Sequence, residues 1–284
     1  MATLLYGKEA ATFYKQQIKQ AVDSAQSEGL GKPHLAAIMV GEDPASAAYV
    51  RGKVKDCDQV GFDSTLIRLP DNVSESDLLA AIHGLNDDDA IDGFIVQLPL
   101  PDHIDDKVVL MAIDPKKDVD GFHPENVGRM ALGLSTYLPA TPYGIQLLLK
   151  YYQIDPSGQR VLVIGRSQIV GSPMSILLSR NQEMGNATVT LAHSRTLDIK
   201  GIALQSDIII AALGKPGFVS ADMVKKGAIV IDVGINRVDG KLVGDVNFKQ
   251  VELVASAITP VPGGVGLMTR VGLLMNTLQA AYGQ

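Results

Sequence analysis

The chain has 284 residues and a formal net charge of −6; hydrophobic residues make up 46% of it and charged residues 20%. This composition is typical of a folded globular protein long enough for two domains, and it excludes a disordered chain. A negative chain has no general attraction for nucleic acid or an anionic membrane, so an anionic ligand would need local basic groups. One cysteine excludes an internal disulfide, and five scattered histidines lack metal-ligand spacing, so we expect no structural metal.

The first eleven residues lack the basic and apolar regions of a signal peptide, and no apolar run is long enough to span a membrane. A lone cysteine also fits a reducing compartment. We therefore expect a cytoplasmic protein without nucleic-acid or membrane partners.

Short apolar runs alternate with helical patterns along the chain, which predicts α/β architecture with largely parallel sheets. In the first half the clearest helix is Pro44–Val60, because Asp43 can cap its start and Gly61 suits a left-handed end. A second helix is expected near Ser76–Leu85. The predicted strands are Leu35–Val40, Ser64–Pro70 and Asp92–Leu98.

The second half begins a new series of strands, whose nearly continuous Val and Ile content indicates a sheet covered on both faces. These strands are Arg160–Gly165, Ala187–Ala192, Asp207–Leu213 and Ala228–Gly234. A stretch rich in Pro and Gly separates the halves and predicts a boundary near residue 140, followed by a helix to about Tyr151. The last helix, Leu267–Tyr282, could return to the first domain. We therefore predict one domain from residues 1–139 completed by 267–284, and a second from 140–266.

Lys53 lies on an apolar stripe of the Pro44–Val60 helix. At about 100° per residue, Tyr49 and Cys57 fall on the same narrow face as Lys53, whereas Lys55 projects from the opposite side. Two interpretations remain open. The side chain either snorkels to water along its stem, or it is a catalytic amine whose proton affinity is lowered by desolvation.

A strand, a glycine turn and a helix start occur together in the second half, which is what backbone binding of a phosphate requires. The strand ends at Gly165, and Arg166–Pro173 opens the next helix, but Ser167 replaces the middle glycine of the usual dinucleotide motif. An ordinary strand–helix turn is therefore a serious alternative. The next strand ends at Ser194-Arg195 rather than at an acidic residue. With Arg166 nearby, this favours a ribose 2′-phosphate, and hence NADP over NAD.

Three further segments carry candidate site residues. Gln97 ends an apolar strand, Asp118 and Asp120 share a turn, and Pro260–Gly266 allows close backbone approach to a flat ligand. Each has a purely structural explanation when taken singly. The sequence shows no cysteine, serine–histidine or metal signature, which leaves chemistry in which an amine tunes a proton while a cofactor takes electrons.

Five motifs in order along the chain resemble the bifunctional methylenetetrahydrofolate dehydrogenase/cyclohydrolase family. They are Val40–Ser46 with Tyr49 and Lys53, Gly93–Pro101, Pro115–Phe122, Gly165–Pro173 and Thr259–Gly266. The resemblance implies two α/β domains, the second a Rossmann-type parallel sheet, with an active-site cleft between them. It implies oxidation of 5,10-methylenetetrahydrofolate by NADP⁺ and hydrolysis of the methenyl product to 10-formyltetrahydrofolate, in one-carbon metabolism and purine biosynthesis. It also implies a homodimer.

The resemblance assigns roles to individual residues. Lys53 would take part in the proton transfers of hydrolysis, Gln97 would position it, Tyr49 would stack on the folate aminobenzoyl ring, and Asp120 would hold the pterin. The other implied substrate contacts are Leu98, Pro262, Gly263 and Gly264. The implied cofactor contacts are Gly165, Arg166, Ser167, Ser194, Arg195 and Ile235.

The chain departs from the family pattern at three places. Leu267 replaces a proline after the glycine-rich loop, which puts substrate affinity in question, and Ala140 replaces a common cysteine. The segment Arg180–Asn186 is longer than usual and is expected to be a surface loop. Two other functions remain open from sequence: a dehydrogenase with weak or absent cyclohydrolase activity, and a catalytically silent nucleotide-binding module. The second is disfavoured because a binding module does not need an amine on an apolar stripe.

Overall fold

The computed structural model describes residues 1–283, and the side chain of Ala45 lies outside the description. In chain order the strands are β1 (Thr3–Leu4), β2 (His34–Val40), β3 (Asp63–Leu69), β4 (Gly93–Val96), β5 (Arg160–Ile164), β6 (Thr188–Ala192), β7 (Ile208–Ala211), β8 (Ile229–Asp232), β9 (Asn236–Val238), β10 (Lys241–Val243) and β11 (Ala257–Ile258). The helices are α1 (Gly7–Ser27), α2 (Pro44–Val60), α3 (Glu75–Asp87), α4 (Asp106–Ala112), α5 (Pro124–Ala131), α6 (Ala140–Tyr151), α7 (Gly171–Ser179), α8 (Ile199–Leu204), α9 (Phe248–Val251) and α10 (Val265–Tyr282), with a 3₁₀ turn at Ala221–Met223.

The chain divides into two compact units. The three-stranded unit comprises Phe13–Ala140 and the chain from Arg270 onward, and the six-stranded unit comprises Met1–Thr12 and Thr141–Thr269. This division differs from the expected one at the N-terminus, because β1 pairs with β11 and so joins the first residues to the six-stranded unit. The predicted fold class, two α/β parts with parallel sheets, is confirmed.

In the three-stranded unit the parallel strands lie in the order β3-β2-β4. Strand β2 is therefore central, with β3 on one side and β4 on the other. Alternate residues of β2 enter two apolar cores. Leu35, Ala37 and Met39 pack with residues of α1, α2 and α10. Ala36, Ile38 and Val40 pack with residues of α3 and α4. Because both faces are covered, the strand reads as a continuous apolar run.

Helix α2 begins and ends where its local signals predict. The side chain of Asp43 accepts a hydrogen bond from the backbone N–H of Ser46 at 2.7 Å, and Gly61 adopts φ 83° at the C-terminal end. Helix α3 is capped in the same way by Ser74, which accepts from the N–H of Asp77 at 3.1 Å. These caps satisfy N–H groups that a helix cannot pair internally.

The six-stranded unit contains a parallel sheet in the order β1-β11-β8-β7-β5-β6. Strand β5 has β6 on one side and β7 on the other, so the strand order reverses there. Such a point, at the carboxyl edge of the strands, is where open α/β sheets bind ligands. All four predicted strands of this half are present. Strand β6 ends at Ala192 as predicted, and the other three end one to two residues earlier than predicted.

The three places where the chain departs from the family pattern are all described by the structure. Leu267 lies half-buried in the first turn of α10, and Ala140 is the buried first residue of α6. The segment Arg180–Asn186 forms a loop between α7 and β6 in which Asn181, Glu183 and Asn186 are exposed and Gly185 is buried. Its ends are closed by a hydrogen bond from the N–H of Asn186 to the carbonyl of Arg180 at 2.8 Å.

Candidate active site

Lys53 is buried, with 6% of its surface exposed, and does not reach solvent as a snorkelling lysine would. Its amine donates a hydrogen bond to Gln97 Oε1 at 3.2 Å and lies 4.7 Å from the centroid of the Tyr49 ring. Gln97 follows β4 directly rather than ending it, and its Nε2 donates to the carbonyl of Leu98 at 2.7 Å. That second bond orients the amide so that its oxygen faces the lysine. Lys53, Tyr49, Gln97 and Leu98 are therefore brought together.

Burial lowers the pKa of Lys53, and the positive charge of Arg270 lowers it further, while the carboxylate of Asp120 acts in the opposite direction. Burial raises the pKa of Asp120, and the positive charge of the Lys53 amine partly offsets this by lowering it. The pKa of the amine is lowered and that of the carboxylate is raised, and such a pair suits a site that must transfer a proton.

Asp120 is presented by a loop that the surrounding structure fixes tightly. Its carbonyl accepts from the N–H of Ala140 at 3.1 Å. Two residues earlier, the buried carboxyl of Asp118 accepts from the N–H of His123 at 2.7 Å and from Asn126 Nδ2 at 2.9 Å. Burial raises the pKa of Asp118 to about 7 despite these donors. Asp118 therefore stabilises the turn, as one of the two interpretations from the sequence expected, whereas the carboxylate of Asp120 acts electrostatically on Lys53.

The phosphate-binding turn predicted after β5 has the required shape. Gly165 adopts φ +111°, and a Cβ there would collide with the carbonyl of Ala212. At the start of the nine-residue helix α7, Gly171 is held so close to Gly165 that it too excludes a side chain. The Ser167 hydroxyl accepts from the N–H groups of Val170 at 3.2 Å and Gly171 at 3.4 Å. Ser167 thus closes the turn in place of a glycine, and the turn fits a dinucleotide pyrophosphate.

The basic and hydroxyl groups predicted to bind a 2′-phosphate lie at the same edge of the sheet as the glycine turn. Ile164 and Ala192 are paired neighbours at the ends of β5 and β6, so Arg166 and the pair Ser194-Arg195 follow adjacent strands. All three of these side chains are exposed. Ile235, 64% exposed, follows β8 at this edge. The cofactor residues predicted from the sequence are therefore collected along one edge of one sheet.

The glycine-rich loop Pro262–Gly264 lies in the six-stranded unit. Gly263 adopts φ +110°, and its carbonyl accepts from the N–H of Gly7 at 2.8 Å. A Cβ on Gly264 would approach the carbonyl of Pro260 to 2.7 Å, so this position too requires glycine. The loop is thus shaped by contacts within its own unit. Its exposed residue is Pro262.

Two buried carboxylates, absent from the predicted site, brace the loops at the cofactor edge. Asp245 accepts from the N–H groups of Leu213 at 2.7 Å and Gly214 at 2.9 Å, just after β7. Asp232 accepts from the N–H of Gly234 at 3.0 Å, next to Ile235. Burial raises the pKa of Asp232 to about 6. For Asp232 the only available signal was its position at the end of an apolar strand, which does not reveal its partner. Asp245 has no such signal, because it follows the short strand β10.

Within the described part of the chain, no three His, Cys, Asp or Glu side chains come together as a metal site would require. Among the described helices, none combines the length and apolar character needed to cross a membrane.

One unit has a Rossmann-type sheet with a glycine turn, and helix α2 of the other unit carries a buried lysine. Together they define a two-unit α/β enzyme of the dinucleotide-dependent class. Residues 139–284 match the family described as tetrahydrofolate dehydrogenase/cyclohydrolase, NAD(P)-binding domain, and residues 5–120 match the catalytic domain of the same family. The chain belongs to the tetrahydrofolate dehydrogenase/cyclohydrolase family.

Individual relatives agree with this assignment. The bifunctional protein FolD of Cytophaga hutchinsonii is 56% identical over 285 residues, which cover 98% of each chain. The crystal structure of the Campylobacter jejuni FolD is 47% identical with a TM-score of 0.95, over 100% of this chain and 99% of that one. The Trypanosoma brucei FolD, solved with NADP cofactor and inhibitor, is 37% identical with a TM-score of 0.92, over 98% and 97%.

Proposed function

We propose that this enzyme of folate one-carbon metabolism oxidises 5,10-methylenetetrahydrofolate with NADP⁺ and hydrolyses the methenyl product to 10-formyltetrahydrofolate. The observation that carries the proposal is the buried Lys53 amine, bonded to Gln97 and placed over Tyr49. It lies in the part of the chain that matches the family's catalytic domain. We assign the residues that carry the hydrolysis to the three-stranded unit and cofactor binding to the six-stranded unit.

The hydrolysis needs a group that accepts and returns a proton. Water adds to the methenyl carbon and gives a proton to the neutral amine of Lys53. The bond from that carbon to N5 then breaks as a proton returns to N5, which leaves the formyl group on N10 and releases one proton overall. A lowered pKa keeps part of the Lys53 population neutral, and Gln97 aims the amine by accepting its hydrogen bond. Tyr49 offers its ring to the flat aminobenzoyl group, and Asp120 offers hydrogen-bond acceptors to the pterin.

The remaining substrate contacts follow the family's pattern. Leu98 is presented by the bond from Gln97, and Pro262, Gly263 and Gly264 supply backbone that a flat ligand can approach closely. Because Leu267 removes a proline from the turn after this loop, we expect it to change folate affinity more than the chemical rate.

The cofactor edge fits NADP. When bound, NADP⁺ supplies the hydride acceptor. The Gly165–Ser167 turn would hold the pyrophosphate through backbone N–H groups, and Arg166 with Ser194 and Arg195 would hold the 2′-phosphate through charge and hydrogen bonds. Ile235 would offer an apolar contact at the same edge. We further propose that the protein is a cytoplasmic homodimer that contributes to purine biosynthesis.

The test follows the absorbance of NADPH and of the methenyl product together, for wild type, Lys53→Gln and Lys55→Gln. Lys55 is the matched control because it is exposed on the same helix. We expect Lys53→Gln to abolish hydrolysis, and Lys55→Gln to match wild type. Intact hydrolysis in Lys53→Gln would refute the role of Lys53. Accumulation of the methenyl product by the wild type would instead favour a dehydrogenase with weak cyclohydrolase activity.

A further inference from the structure

A cluster of three charges, one of them buried, lies beside the proposed site in the three-stranded unit. Asp56, 3% exposed, forms ion pairs with Lys15 of α1 and with Arg270 of α10, whose Nε lies 3.1 Å from Asp56 Oδ2. Lys15 also donates to Gln59 Oε1 at 3.1 Å. Two cations pair with one carboxylate, so the cluster carries one net positive charge, and because both cations are partly buried it is screened less by salt than a fully exposed charge.

The cluster is tied to the helix that carries Lys53. Asp56 follows Lys53 by three residues on α2, which places it about one helical turn away. The Arg270 guanidinium lies against the backbone of Gly52, the residue before Lys53, where any Cβ would collide with it. Gly52 therefore admits the guanidinium, and Asp56 anchors it.

The charges that act on the Lys53 amine oppose each other. The carboxylate of Asp120 favours the protonated amine, whereas the guanidinium of Arg270 on α10 favours the neutral amine. Cys57, on α2 itself, is a protonated thiol at neutral pH because burial raises its pKa to about 12. Gln97 and the Tyr49 ring contact the amine without a formal charge. Arg270 is therefore the cation that balances Asp120.

We propose that Arg270 is a positioning residue for the hydrolysis, because its anchored guanidinium offsets Asp120 and keeps the Lys53 amine available as a proton acceptor. This proposal rests on the function proposed above for Lys53. In this proposal Asp56 holds the guanidinium of Arg270 through an ion pair, and Gly52 leaves the space that the guanidinium occupies.

The experiment compares Arg270→Gln, Arg270→Lys and Lys15→Gln with wild type. Arg270→Gln and Lys15→Gln each remove one cationic partner of Asp56, but only Arg270 acts on Lys53. The pH dependence of hydrolysis is measured with and without each substitution. In parallel, acetic anhydride labelling of Lys53, read by mass spectrometry against the exposed Lys55, gives the titration of the amine without turnover.

Loss of the Arg270 charge should move both titrations to higher pH by at least about half a unit, which is about a threefold change in rate on the rising limb. Arg270→Lys should restore the wild-type profile, and Lys15→Gln should leave it unchanged although both single-charge losses lower the melting temperature. An unshifted Arg270→Gln profile, or an equal shift in Lys15→Gln, would overturn the proposal. A wild type without hydrolysis would refute the proposed function, and the labelling would still decide the role of Arg270.

Discussion

The side-chain amide of Asn276 donates a hydrogen bond to the carbonyl of Val119, at 2.8 Å, and this bond fixes the backbone next to Asp120. The same nitrogen donates to the carbonyl of Leu138 at 2.7 Å. Leu138 leads into Ala140, whose N–H binds the carbonyl of Asp120. The buried side-chain amide of Asn276 therefore holds the two segments that shape the Asp120 loop, one at Val119 and the other at Leu138.

We expect Asn276→Leu to lower the free energy of unfolding by about 2–4 kcal/mol, since the buried carbonyl of Val119 and the partly buried carbonyl of Leu138 lose their donor. The kcat/KM for methylenetetrahydrofolate should fall about tenfold or more, because Asp120 is displaced. Thr277→Val is the matched control. Thr277 is equally buried on α10, but its hydroxyl donates only to the carbonyl of Leu273. Equal effects of the two substitutions on kcat/KM would show that α10 stability, rather than the Asp120 loop, is responsible.

Gln97→Glu tests whether Gln97 acts through its uncharged oxygen. A carboxylate about 3.2 Å from the Lys53 amine favours the protonated form, so the pKa of Lys53 should rise by about one unit or more. The rising limb of the hydrolysis profile should move to higher pH by the same amount. Gln59→Glu makes the same chemical change at an exposed position of α2 and should leave the profile unchanged. If the rising limb of the pH profile did not move in Gln97→Glu, the rate-determining proton transfer would involve a group other than Lys53.

Much of the fold could be predicted because its signals are local. Helix α2 matches its predicted bounds, since Asp43 and Gly61 act within one turn of its ends. Helix α1 was missed because its apolar residues are interrupted by many polar ones and no capping signal marks its start. Strand β1 has only two residues and depends on pairing with β11 more than 250 positions away, a contact that no local pattern announces.

In the candidate site, too, the residues with a local sequence signal could be predicted and those without one could not. Lys53 could be singled out because its own helix shows that it lies on an apolar face. Asn276 and Arg270 could not, because a polar residue on a terminal helix acquires its role only from partners distant in sequence: Asn276 lies 157 positions from Val119. Arg270 pairs with an aspartate on another helix, and nothing around either residue predicts that contact.

Arg166→Ala should weaken NADP⁺ far more than NAD⁺, because a lost arginine removes a charge-assisted bond that only the 2′-phosphate can use. We expect the KM for NADP⁺ to rise about tenfold or more and the KM for NAD⁺ to change by less than about twofold. Initial rates with each cofactor measure both. Arg237→Ala, at an exposed arginine on the β9–β10 hairpin, controls for a general loss of positive charge. Equal losses with the two cofactors would refute recognition of the 2′-phosphate by Arg166.

Asp118 should make stability fall as the pH rises from 4 to 7. Burial, with 1% of the residue exposed, raises its pKa from 3.8 to about 7, so the folded state binds the proton more tightly than the unfolded state. The contribution of Asp118 to stability is therefore fully present below about pH 4 and is lost as the pH rises through about 7.

The matched variant for this test is Asp118→Asn, which cannot ionise and whose amide oxygen can still accept from the N–H of His123 and from Asn126. Urea unfolding at pH 4, 5.5, 7 and 8 measures the free energy of unfolding of both proteins. Relative to the variant, wild type should lose at least about 1 kcal/mol between pH 4 and 8, because one unit of pKa difference is worth about 1.4 kcal/mol. Asp232, whose pKa is about 6, titrates in the same range in both proteins and cancels in the difference. Parallel curves would mean that the donors around Asp118 keep it ionised in the folded state, as hydrogen bonds to a carboxylate can.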